Sequence, residues 1–229
     1  MLAGQELHGL GDFTEARDHW KNAEAHAPDP VSEGRAIRGD AASAAKLGYL
    51  AEAVERAQSA LVLHGQAAAE NPAHRREEAQ TQGVLTRFMF RSIGLEEYNG
   101  LIPTDEAKHQ AASPLRGMRK AMYTLREVSK EAGRNDQHLL NLVPHMITGE
   151  ALYGDHSRAR RLLPHVGRAI TLTEIPALPT SAGISDKYRR EAQKRMAAYS
   201  AGAMLVTALT FAPQLRNRAL GLALGPTGW

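Results

Sequence analysis

The feature that most constrains the fold is a spacing that recurs. In "GDFTEARDHWKNAEAHAPDP", residues 11–30, Gly11, Phe13, Ala16, Trp20, Ala23 and Pro28 follow one another at intervals of two, three, four, three and five. Ala16, Trp20, Ala23 and Ala27 therefore fall on one stripe of an α-helix, and the segment predicts a helix with a buried face. Gly11 punctuates the turn before it, Asp12 or Thr14 is placed to cap orphan N–H groups, and Pro28 and Pro30 stop it. Starting 37 residues downstream, "GYLAEAVERAQSALVLHG" repeats the scheme with Gly48, Leu50, Ala53, Ala57 and Ala60, closing on Gly65. A third copy, "GDHSRARRLLPHVGRAI", carries Gly154, His156, Ala159, Leu163 and Val166.

One amphipathic helix cannot bury its stripe alone, so each copy requires a partner helix before it. Residues 2–9 supply a short one with Ala3, Gly4 and Leu7; residues 32–46 supply the second, opening on Ser32 as N-cap and carrying Ile37, Ala41 and Ala44 on one face. Residues 136–153 supply the third, with a kink expected at Pro144. Between the second and third copies the periodicity predicts a helix over about 73–93. One or two helices then follow over 104–133, broken near Ser113 and Pro114, and together these form a degenerate hairpin with longer arms. A Pro-containing loop at 172–185 precedes a final helix over about 186–212, a short helix at 214–224 and a tail. Aromatic residues make up only 5% of the chain and alanine is frequent, which favours close-packed helices over strands. The domain organisation expected is a repeat array over 1–171, with its degenerate hairpin at about 73–133, and capping helices plus tail over 186–229.

The offsets of Gly, an aromatic, a small Ala, a bulky residue, Ala and a closing Pro resemble the second helix of the tetratricopeptide repeat (TPR). The resemblance covers about 30% of the chain at motif level. It implies an all-α, TPR-like α-solenoid of antiparallel helical hairpins with a C-terminal capping helix, and recognition in the concave groove lined by the first helix of each hairpin. Aligned on the small Ala of each second helix, the groove places fall on Gln5 and His8, on Arg35, Arg38 and Lys46, and on Asn141, His145 and Thr148. Arg38 and Lys46 stand where repeats that clamp a peptide carboxylate carry Lys or Arg, while Ala42 stands where those clamps carry Asn. Arg75, Arg76, Arg87 and Arg91 extend the row along the next helix. What the resemblance implies is a non-enzymatic scaffold or sensor module that takes an acidic or extended peptide, as one piece of a larger regulator.

Two other classes remain open on the residues. The first is a helical enzyme with a pocket between helices 73–93 and 136–153, using His145, Arg87 or Glu150. The second is a nucleic-acid binder. Residues 1–133 hold 16 Lys and Arg against 19 Asp and Glu, whereas residues 134–229 hold 12 against 6, so the C-terminal part is basic. Arg158, Arg160, Arg161, Arg168, Lys187, Arg189 and Arg190 make up a basic patch there, with Tyr188 and Tyr199 as the nearby aromatic residues for base stacking.

Other chemistries find little footing. The chain has no cysteine, hence no disulfide, thiolate nucleophile or cysteine-ligated metal. His19 and His26, like His138 and His145, are seven residues apart. That spacing spans about 10 Å along a helix, too far for one ion. "GDHS" at 154–157 reads as a turn and cap, no GxSxG is present, and no Gly-rich loop follows a strand. No cofactor and no metal are expected. The N-terminus lacks a basic segment followed by an apolar core, and the most apolar run, residues 196–212, is broken by Ser and Thr. The expectation is a cytoplasmic protein without membrane attachment, with a homodimer through the terminal helices as a further possibility.

Overall fold

Two glycines in left-handed backbone conformation open the first hairpins. Gly11 has φ 95° and Gly48 has φ 91°, values at which a Cβ is strained, and these are the residues that begin the first two copies of the repeated spacing. The computed structural model describes residues 2–132, 137–171 and 184–225; within these, the side chains of 137, 166–171, 184–193, 195, 196 and 213 lie outside the description. Among the described residues there are ten α-helices and no strand. They are α1 (Leu2–Leu10), α2 (Phe13–Ala25), α3 (Pro30–Lys46), α4 (Leu50–Glu70), α5 (Arg75–Tyr98), α6 (Thr104–Glu131), α7 (Gln137–Tyr153), α8 (His156–Thr171), α9 (Ile184–Leu209) and α10 (Arg216–Leu224). Short 3-10 turns at Pro72–His74 and Pro213–Leu215 precede α5 and α10. No described helix is long and apolar enough to cross a membrane.

Local chemistry sets the boundaries, and several differ from expectation. Asp12 caps α2 by accepting from the Glu15 N–H at 3.2 Å. Pro30, expected to stop the preceding helix, instead begins α3, where its missing N–H costs nothing. The cap of α3 is Asp29 rather than Ser32: its carboxylate accepts from the Ser32 backbone N–H at 2.9 Å and the Ser32 hydroxyl at 2.7 Å. Helix α4 continues through Gly65 to Glu70. Helix α6 does not break at Pro114; it is one helix, because Pro114 is buried alongside Ala111, Leu115 and Met118, and that packing outweighs one lost backbone hydrogen bond. Gly154 opens the third copy without a positive φ, and Asp155 caps α8 by accepting from the Ser157 N–H at 2.8 Å.

Small residues set how closely the helices approach. Trp20 of α2 is held between α1 and α3: a Cβ on Gly4 would lie 2.8 Å from Trp20 Cε2, and one on Gly39 would lie closer still. Ala16 and Ala36 complete this cluster. Ala41, Ala44, Ala53 and Ala57 bring α3 and α4 together, and a larger cluster around Phe90, Met118, Leu125, Leu152 and Leu220 joins α5, α6, α7 and α10. Replacing Gly39 with alanine is therefore expected to destabilise the protein by about 1–3 kcal/mol through overpacking against a buried ring. Gly65→Ala, on a helix side where a Cβ would meet nothing within 4 Å, is expected to be neutral or stabilising. Urea midpoints of the two variants check the pair.

Consecutive helices pack on one another throughout, and the odd-numbered ones also touch in order: α1 on α3, α3 on α5, α5 on α7, and α7 on α9. Helix α10 turns back onto α5 and α7. Three buried carboxylates tie neighbouring helices together. Asp40 of α3 accepts from Arg17 Nε of α2 at 2.8 Å and from Arg56 Nε of α4 at 2.9 Å. Glu150 of α7 holds Arg119 of α6 through two hydrogen bonds of 2.8 Å and accepts from the Asp155 N–H at 3.0 Å. Glu97 of α5 holds Arg216 of α10 at 2.6 and 3.1 Å, while Arg216 Nη1 donates to the Leu152 carbonyl at 2.8 Å.

Candidate anion-binding site

The cations expected to line a groove divide into two sets with different roles. In the first set, Arg35 and Arg38 of α3 share a carboxylate of the protein itself. Arg35 Nη2 lies 2.8 Å from Glu77 Oε1 and Arg38 Nη2 lies 3.0 Å from Glu77 Oε2, so the start of α5 is fastened to α3. Burial pushes the Glu77 carboxyl up, but Arg38 and Arg35 outweigh it and hold its pKa at about 2. A polar chain continues inward: Arg38 Nη1 donates to Thr81 Oγ1 at 3.1 Å, and Thr81 Oγ1 lies 2.7 Å from His64 Nδ1. His64 Nε2 lies 3.2 Å from the Val31 carbonyl oxygen and so carries the proton, which leaves Nδ1 to accept from Thr81. The carboxylate that Arg35 and Arg38 hold thus comes from within the chain.

The second set is gathered further along the same row. Helices α5 and α7 approach closely at Gly83, where a Cβ would lie 2.7 Å from Leu142 Cδ1. One turn on from this contact are Arg87, at i+4 from Gly83, and His145, at i+3 from Leu142. The His145 ring is buried and its centroid lies 5.3 Å from that of Tyr199 on α9. Burial holds the imidazole well below its usual pKa, and the positive charges of Arg87 and of Lys46 at the end of α3 lower it further. Lys46 is exposed, and next to it Arg91 Nη1 of α5 donates to the Ala45 carbonyl at 3.3 Å, covering the C-terminus of α3. Arg87 is half-buried, with its Nε closed off from solvent and without a hydrogen-bond partner. Burial depresses its pKa, and the only described group that offsets this is the Tyr199 phenol.

Arg87 stands apart from the other deeply placed arginines. Arg17, Arg38, Arg119 and Arg216 each meet a buried carboxylate at 2.6–3.0 Å. Arg87 meets none among the described residues. Among the described residues, four groups from four odd-numbered helices, Lys46, Arg87, His145 and Tyr199, thus lie near one another and include two fixed cations.

The remaining expected residues are placed as follows. His8 faces Ser43 Oγ at 3.0 Å and packs edge-on to Phe13, joining α1 to α3, while Gln5 is exposed. Thr148 is buried, and its hydroxyl donates to the Pro144 carbonyl at 3.0 Å; Asn141, one turn before His145, is half-buried. Glu150 is not brought to His145. Five residues later on the same helix it lies about 140° around the axis, facing Arg119 and Arg158. The hollow between α5 and α6 lined by Glu78, Ala79, Gln82, Lys120, Ala121 and Thr124 has room for about one water molecule. In the basic patch, Arg158 lies 3.6 Å from Glu150, Arg161 lies 4.0 Å from Asp155, and Arg160 covers the Phe211 ring at 5.7 Å. The side chains of Arg168, Lys187, Arg189 and Arg190 lie outside the described residues.

Sequence reasoning placed Lys46 and His145 on one groove and named Arg87 as an extension of it, but considered Tyr199 only for base stacking. A signal was available for the buried carboxylates: Asp40 interrupts the apolar stripe of Ile37, Ala41 and Ala44, and an acid in such a place demands a cation from a neighbouring helix. Comparison with models of known families, with characterised proteins and with solved structures finds no match to this chain.

Proposed function

We propose that the chain is a TPR-like α-solenoid that serves as a non-enzymatic protein- or peptide-binding module, taking an acidic or extended peptide along the row of odd-numbered helices. The observation that carries this is the convergence of Lys46, Arg87, His145 and Tyr199 from α3, α5, α7 and α9, with two cations and no carboxylate among the described residues to balance them. Peptide acids would balance them through charge-assisted hydrogen bonds. The repeated spacing supports the solenoid, as do the order of helix contacts and the row of odd-numbered helices. Such a module works as a scaffold or sensor within a larger assembly.

The test compares binding of an array of extended acidic peptides to the wild type and to Lys46→Glu/Arg87→Gln, with folding checked by circular dichroism. Weakening of about tenfold or more is expected for the double variant. An unchanged binding profile would sink the assignment. Arg38→Glu is unsuitable for this purpose, because it would set a second carboxyl group against that of Glu77 in place of its cation and unfasten α3 from α5.

A further inference from the structure

We propose that Arg87, Lys46, His145 and Tyr199 form a pocket for a phosphoryl group, presented by a phosphorylated peptide side chain. This rests on the peptide-binding reading above and names the chemical group that the site selects. Elsewhere in the molecule an enclosed guanidinium meets a buried carboxylate: Asp40 for Arg17, Glu77 for Arg38, Glu97 for Arg216. At Arg87 no described carboxylate does so, although an enclosed Nε without a partner is a costly arrangement to retain. Among the described residues nothing supplies that anion, and a bound ligand would.

Charge and donor count distinguish between anions. A peptide carboxylate brings one negative charge and two oxygens. A phosphomonoester brings about −1.5 to −2 at neutral pH and three acceptor oxygens. The site supplies two fixed cations, and the donors are more than a carboxylate uses: the fork of Arg87, the ammonium of Lys46 and the Tyr199 hydroxyl. His145, buried and held neutral, adds no third charge and packs against the Tyr199 ring with centroids 5.3 Å apart. A guanidinium on a half-buried stem with an exposed lysine at the rim also matches a ligand group that enters from solvent on a chain too long to be enclosed.

Four probes test the proposal on the full chain by calorimetry: inorganic phosphate, an acidic peptide containing phosphoserine, and the same peptide with serine and with glutamate at that position. They are applied to the wild type, to Arg87→Gln, and to Arg116→Gln on the exposed face of α6 as a control. The phosphoserine peptide is expected to bind about tenfold tighter than either counterpart, and Arg87→Gln is expected to erase that advantage while Arg116→Gln preserves it. A glutamate peptide as tight as the phosphoserine peptide, or an advantage that survives Arg87→Gln, overturns the phosphoryl pocket and leaves the peptide-binding reading standing. Inorganic phosphate raising the melting temperature of the wild type but not of Arg87→Gln, with no peptide bound, overturns the phosphopeptide ligand together with the peptide-binding reading and leaves a site for free phosphate.

Discussion

Asp40→Ala is expected to lower the unfolding free energy by about 3–5 kcal/mol, the range for removing one partner of a buried ion pair. The Asp40 side chain is completely inaccessible to solvent and accepts from Arg17 on one side and Arg56 on the other, so a single truncation leaves two guanidinium groups facing each other in the interior. Each arginine keeps a second, more exposed acid, Glu52 for Arg17 and Glu24 for Arg56, which places the effect toward the lower end of the range. The contrast is Glu52→Ala. Its side chain is 42% exposed, so solvent screens the pair and the change should cost below about 1 kcal/mol. Urea unfolding of both variants separates the two values, and a loss below 1 kcal/mol for Asp40→Ala would show that Asp40 is not what joins α2, α3 and α4.

The pattern of clasps explains how much could be read before any coordinates. Apolar periodicity reports a stripe, and a stripe is local, so Trp20, Ala16 and the glycine turns at Gly11 and Gly48 were legible. The repeat register then assigned Lys46 and His145 to a common row, and both lie on odd-numbered helices, α3 and α7. It could not say which cation meets which acid, since that depends on helix pairs far apart in sequence. Arg38 and Glu77 are 39 residues apart, and Arg216 and Glu97 are 119 apart. Arg38 and Lys46 look equivalent as basic residues on one helix, yet one is consumed by Glu77 and the other is exposed at the end of α3, near enough to His145 to lower its pKa. Pro114 failed as a stop signal for the same reason: its local preference yields to the core that surrounds it.

Those long-range contacts also fix how the protein responds to acid, and the expected response is steep. His64 and His145 both have folded pKa values below the ordinary value near 6.5, in each case chiefly because burial penalises the charged ring; neighbouring arginines, and for His145 also Lys46, add to it. Below about pH 6.5 the unfolded chain takes up two protons that the folded chain refuses, so stability is fully present above that pH and falls on acidification by up to about 2.7 kcal/mol per pH unit. For His64 the reason is visible in the hydrogen bonds. Nε2–H donates to the Val31 carbonyl and Nδ1 accepts from Thr81, so a second proton would displace the Thr81 hydroxyl hydrogen in a space that also contains Arg38. Glu77 adds a lower window. Its carboxyl at about 2 lies beneath the ordinary value of 4.5, so its contribution is complete above 4.5 and drains away between 4.5 and 2. That shift corresponds to about 3 kcal/mol. Urea midpoints at intervals from pH 8 to pH 4 should fall most steeply below 6.5, and His64→Gln should roughly halve the slope there while leaving the Glu77 window in place. A midpoint that stays flat down to pH 5 would mean that both imidazoles take up protons in the folded protein, against the enclosed positions they occupy. A phosphoryl group bound at Arg87 should oppose the loss, because an anion beside His145 eases its protonation, so phosphate should flatten the wild-type slope more than that of Arg87→Gln.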